Sequence, residues 1–107
     1  ITDPILLDRL RLEFATLAGA RANGMAHKTG SLTPGKQADL LLVRATDLNL
    51  TPVSDPVGAV VLAAHAGNID SVFVAGRAVK RHGRMLGHDL AALHARAHAS
   101  QRHVLEL

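Results

Sequence analysis

Gly30-Ser31-Leu32-Thr33-Pro34-Gly35-Lys36-Gln37-Ala38-Asp39-Leu40-Leu41-Leu42-Val43 sets a turn directly against a run of strand length. Thr29 to Gly35 gather turn-forming residues around one apolar side chain, Leu32, and Pro34-Gly35 predicts a tight turn. Ala38 to Val43 is apolar on both faces, which predicts a strand covered from both sides and the best buried of the chain. The same stretch has the glycine and lysine spacing of a phosphate-cradling P-loop, and its context speaks against one. Gln37 stands where a magnesium-binding hydroxyl is needed, Pro34 removes a cradling N–H, and a strand follows where a helix is required.

Working outward toward the N-terminus, Asp3-Pro4 has the form of a helix cap with proline in the first turn, and Leu6, Leu7, Leu10 and Phe14 recur at helical spacing. This predicts a helix over 4–14. Thr16 is positioned to cap a second short helix through Leu17, Ala20 and Arg21 that stops at Gly24, so two helices are expected to meet near Ala15. Toward the C-terminus, 45–54 is polar and punctuated by Pro52, which predicts a loop. Asp55-Pro56 repeats the capped opening and predicts a short helix over 56–64. Ile69–Val74 and Arg77–Lys80 flank Ala75-Gly76 as a hairpin with Gly76 at positive φ, and His82-Gly83-Arg84 is a further turn. From Asp89 onward, Leu90, Leu93, Ala97 and Val104 lie along one stripe of a helix that runs to the C-terminus.

At 107 residues with 48% apolar composition, one domain is expected, able to bury about two thirds of the surface its unfolded chain exposes. Phe14 and Phe73 are the only aromatic residues. Packing must therefore be aliphatic, and stacking platforms for bases or sugars are missing. The formal charge of +3 is mildly basic and speaks to solubility rather than fold. With no cysteine, disulfides, thiolate catalysis and Cys-ligated metals are excluded. No apolar run approaches the ~20 residues of a membrane span, no secretory signal opens the chain, and a cytoplasmic location is expected.

Four groups of residues carry possible chemistry. His94 and His98 stand one helical turn apart, the spacing with which two imidazoles grip a divalent metal, but Ala95-Arg96-Ala97 between them supplies no base and no carboxylate ligand. They read as a solvated face. Arg77, Lys80, Arg81, His82 and Arg84 form the densest basic stretch; without interleaved aromatics it reads as charge protecting a hairpin edge rather than as a nucleic-acid surface. Asn49-Leu50-Thr51 matches a glycosylation acceptor, which carries little weight without a secretory signal. Ser31, Ser54, Ser71 and Ser100 are available for a hydroxyl nucleophile, yet none sits in a Gly-x-Ser-x-Gly elbow.

Taken together, Ala15-Thr16-Leu17-Ala18-Gly19-Ala20-Arg21-Ala22, then Gly30-Ser31-Leu32-Thr33-Pro34-Gly35-Lys36-Gln37-Ala38-Asp39-Leu40, then Val72-Phe73-Val74-Ala75-Gly76-Arg77 resemble, in order, the end of the amidohydrolase superfamily. The likeness covers roughly residues 10 to 87 and is closest to the branch of cytosine deaminases, chlorohydrolases and S-adenosylhomocysteine deaminases. It implies an α+β piece: terminal barrel helices over 1–27, strands of a small composite β-sandwich over 28–87, and a C-terminal helix over 88–107 of a (β/α)8 protein. It also implies that Asp39 is a structural carboxylate, and that Ala75 stands where the family more often has Asn or Asp.

That family activates a metal-bound water with a His-x-His pair, further histidines and an aspartate at barrel strand ends. None of those motifs is in this chain, and His27, His65, His82, His88, His94, His98 and His103 match no ligand position of the pattern. The resemblance therefore implies zinc or iron for a longer parent, with no catalytic, cofactor or metal residue in this segment. Expected partners are the missing N-terminal barrel or another copy of the chain, with homo-oligomerisation open. The competing reading is an independent, non-catalytic binding or oligomerisation module derived from the family.

Overall fold

The computed structural model describes residues 3–107. Helix α1 (Pro4–Glu13) starts where the sequence places it, with the Asp3 carboxylate accepting from Ile5 N–H at 3.0 Å. The helix does not break near Ala15. Phe14–Ala18 form a π-helical turn that leads directly into α2 (Gly19–Ala22), all with right-handed helical backbone. Thr16 is not a cap, because its Oγ1 donates back to the Leu12 carbonyl at 2.7 Å, the bond a Ser or Thr makes inside a helix. A π-turn is one extra residue in the spiral, so the two expected helices are one bulged helix. Gly24 at φ +68° then ends it, with Met25 N–H bonded to the Ala20 carbonyl.

Four strands form one antiparallel sheet in the order β1 (Leu40–Val43), β2 (Ile69–Val74), β3 (Arg77–Arg81), β4 (Arg84–Met85). Both hairpin connections are two-residue turns with positive φ at each position: Ala75 (52°) and Gly76 (78°), then His82 (48°) and Gly83 (75°). This is the turn geometry that matches the right-handed strand twist. Gly76 takes the expected conformation, while Ala75 takes one that costs an L-residue with a Cβ about 1–2 kcal/mol. Two hydrogen bonds offset that strain: Asp39 Oδ1 accepts from Ala75 N–H at 2.7 Å, and the Ala38 carbonyl accepts from Gly76 N–H at 2.9 Å.

Between β1 and β2 lie helix α3 (Pro56–Leu62), capped by Asp55 through bonds from Val57 and Gly58 N–H, and a 3₁₀ turn at Ala66–Asn68. Helix α3 packs against α1. Gly58 is buried beside both Asp55 and the buried Asp8 carboxylate; a Cβ there would lie 2.7 Å from Asp55 Oδ2 and 3.5 Å from Asp8 Oδ2. Helix α4 (Leu90–Leu105), capped by Asp89, carries the C-terminus, and every residue of it is exposed.

The expected aliphatic core does not form within this chain. Leu50 is the only buried apolar side chain among the described residues, while Leu41 and Leu42 of β1 are 56% and 50% exposed. The doubly apolar strand is thus bare on both sides of its middle. The radius of gyration is 18.1 Å, against about 13 Å for a compact domain of this length.

Candidate functional site

The best-connected polar cluster centres on Asn68, which is 1% exposed. Its Oδ1 accepts from His65 N–H (2.9 Å) and Asn49 Nδ2 (2.9 Å), and its Nδ2 donates to Asp47 Oδ2 (2.9 Å) and Asn49 Oδ1 (2.8 Å). Asn49 also donates to the Ala63 carbonyl at 3.0 Å. Arg44 closes the ring: its Nε donates to Asp47 Oδ1 at 3.2 Å, a second guanidinium nitrogen donates to the Gly67 carbonyl, and Nη1 lies 3.6 Å from Asp70 Oδ1. The cluster ties the 44–50 loop to the α3–β2 connection and to β2.

Its carboxylates are held ionised. The Asn68 side-chain bond, then that of Arg44, lowers the Asp47 pKa, and the Ser71 hydroxyl, aided by His82 and Arg44, lowers that of Asp70. A carboxylate stabilised in this way is a weak base and is not protonated near neutral pH, so neither suits general acid–base work. Ser71 donates to Asp70 Oδ2 at 2.8 Å, and His82 Nδ1 lies 3.8 Å from the same oxygen. A triad needs the imidazole between hydroxyl and carboxylate; here the hydroxyl already gives its proton to the carboxylate and is 97% buried. His65 is a structural cap, its Nδ1 accepting from Gly67 N–H at 3.0 Å.

The glycine-rich loop is equally structural. Gly30, at φ +93°, approaches the bulged helix so closely that a Cβ would lie 2.7 Å from Ala20 Cβ and 3.0 Å from Leu17 Cα. Gln37 N–H bonds to the Lys28 carbonyl, Lys36 N–H to the Thr33 carbonyl, and the Lys36 ammonium reaches the Thr29 carbonyl at 3.4 Å. The loop leads into β1 rather than a helix, so its amides close a turn instead of converging on a phosphate. Asp39 accepts from Gln37 Nε2 (2.9 Å) as well as from Ala75, and these two bonds, Gln37 first, lower its pKa.

A cleft of about 380 Å³ lies between α1, the 49–55 loop and α3, with Asp8 and Asp55 in its wall. Asp8 is paired with Arg11 at 2.8 Å, and Asp55 is occupied as a helix cap. Arg77, Lys80, Arg81 and Arg84 lie along β3 and β4 around the His82-Gly83 turn. His94 and His98 lie on the exposed α4, far along the chain from the Asn68 cluster. Among the described residues no three His, Asp or Glu side chains converge on a point that could hold a metal. The donors present do not fit the multi-ligand centre of a metal-dependent hydrolase.

The glycine-docked strand-entry loop, the bulged helix and the hairpin stapled by Asp39 all fall within the part of the chain that known proteins match. The sequence model of the amidohydrolase family matches residues 7–79, and the chain belongs to that family. The 5-methylthioadenosine/S-adenosylhomocysteine deaminase of Acetivibrio thermocellus is 38% identical over 78 residues, 72% of this chain and 18% of that protein. The S-triazine hydrolase of Gordonia rubripertincta is 37% identical over 70 residues, 65% of this chain and 15% of that protein. Among solved structures, a zinc-bound adenosine deaminase from Xanthomonas campestris superposes with a TM-score of 0.85 at 32% identity, over 90% of this chain and 22% of that one. The chain thus spans about a fifth of the length of the relatives it matches.

Proposed function

We propose that this chain is the C-terminal structural portion of a metal-dependent amidohydrolase acting on non-peptide C–N bonds, a deaminase of cyclic amidines or aromatic rings. The hydrolytic metal, zinc or iron, belongs to the remainder of the polypeptide. In this reading residues 1–27 are terminal barrel helices, 28–87 contribute strands to a composite sandwich, and 88–107 form a C-terminal helix; Ile1 and Thr2 lie outside the described residues.

The observation that carries the reading is the uncovered apolar surface. The chain exposes 8281 Å², against about 5,700 Å² for a compact monomer of its mass. The excess of about 2,500 Å² is what one side of a large obligate interface hides. It includes Leu41 and Leu42 on β1, Phe14 at 78% and Leu62 at 70% exposure. The deaminase and triazine hydrolase relatives supply the reaction class.

The test is the intact mass of the protein from its native source, with ammonia release from 5′-methylthioadenosine as the activity readout. The expected result is a mass several times the 11.3 kDa of this chain, with turnover in the longer protein and none in the 107-residue chain. A native mass of 11.3 kDa would instead establish an independent module.

A further inference from the structure

We infer that His94 and His98 on α4 form a two-imidazole site for an exchangeable divalent transition-metal ion, separate from any hydrolytic metal of the family. The helix runs without interruption from Leu90 to Leu105. Residues four apart in such a helix stand about 6 Å apart along the axis and about 40° apart around it, so both imidazoles rise from one face. Every residue of α4 is exposed in the 107-residue chain, leaving both rings open there to an ion from solvent. Ala95 and Ala97 present only methyl groups beside them.

The donor set decides the ion. No Asp or Glu lies between Leu90 and Leu105, so the two imidazole nitrogens are the strong donors of the site, and Gln101, one turn beyond His98 on the same face, adds only a neutral amide oxygen. Imidazole nitrogen suits zinc, copper and nickel, whereas magnesium and calcium require oxygen ligands. Arg102, one turn beyond His98, opposes a cation there and keeps the affinity modest. With two protein ligands the remaining positions stay with water, so the ion exchanges freely, unlike one in a closed structural site. His103 points about 180° away from His94 around the axis, and His88 precedes the Asp89 cap, so neither joins the pair.

The inference does not depend on the deaminase reading, and the 107-residue chain itself is the material for the test. Zinc chloride is titrated while the histidine ring signals are followed by NMR, with magnesium chloride as control. The expected result is a joint shift of His94 and His98 saturating near about one zinc per chain, with no response to magnesium. His94→Gln and His98→Gln each weaken binding about tenfold or more, while His103→Gln leaves it unchanged. Circular dichroism of the metal-free variants verifies that α4 is intact. No zinc-dependent shift, equal shifts at His88 and His103, or an unchanged affinity in His94→Gln would each overturn the assignment.

Discussion

Replacing Asn68 by alanine removes four side-chain hydrogen bonds at the most buried side chain among the described residues. A buried polar group stripped of its partner costs about 1–3 kcal/mol. His65 N–H loses its acceptor outright, whereas the exposed Asn49 amide and the partly exposed Asp47 carboxylate regain water. The expected local cost is therefore about 2–4 kcal/mol, roughly a 30-fold to several-hundred-fold rise in the opening equilibrium. Native-state hydrogen exchange reads this residue by residue. The amides of His65 and of Arg44, which donates to the Asn68 carbonyl at 2.8 Å, should lose protection by that factor, while α1 amides keep theirs. Asn68→Asp should be as harmful above the carboxylate range, where it faces Asp47 as a second negative charge, and should partly recover in acid, where its protonated form can donate again. Protection of His65 and Arg44 within about threefold of the unmodified chain in Asn68→Ala would refute the claim that this amide locks the loop to the sheet.

Gly30→Ala should destabilise by about 2–5 kcal/mol, combining positive-φ strain with the close approach to Ala20 and Leu17, measured as a lower urea midpoint. Ala75→Gly or Ala75→Asn should raise stability by about 1 kcal/mol, because either residue tolerates the left-handed turn, and the urea midpoint should move upward. Asp39 has a lowered pKa, so its staple is fully present above the ordinary Asp value and is lost as pH falls through the folded value. The Ala75 amide resonance should therefore titrate with a midpoint below 3.8, and Asp39→Ala should abolish that transition.

Much of the fold was legible where one residue type dictates one local geometry. Asp3, Asp55 and Asp89 each announced a helix that the structure caps with that carboxylate. Gly76 and Gly83 announced the turns of the meander. The two-residue strand β4 was not legible, since Arg84-Met85 is too short to carry a period. The π-turn at Phe14–Ala18 was misread because Thr16 looks the same as a cap and as a back-bonded helical residue. The bareness of β1 was invisible for another reason: Leu40 to Val43 encode a need for cover, and a sequence does not say whether the cover lies within the same segment. The Asn68 cluster escaped because its amide pair spans 19 residues, and polar residues in a loop read as solvated.

Hydrogen–deuterium exchange on the protein from its native source, compared with the isolated 107-residue chain, tests the central claim most directly. If these strands and helices complete a larger hydrolase, peptides containing Leu40–Val43 and Phe14–Ala18 will be strongly protected in the native protein and exchange quickly in isolation. Equal exchange in the two preparations would show that nothing covers those surfaces, and would contradict the account.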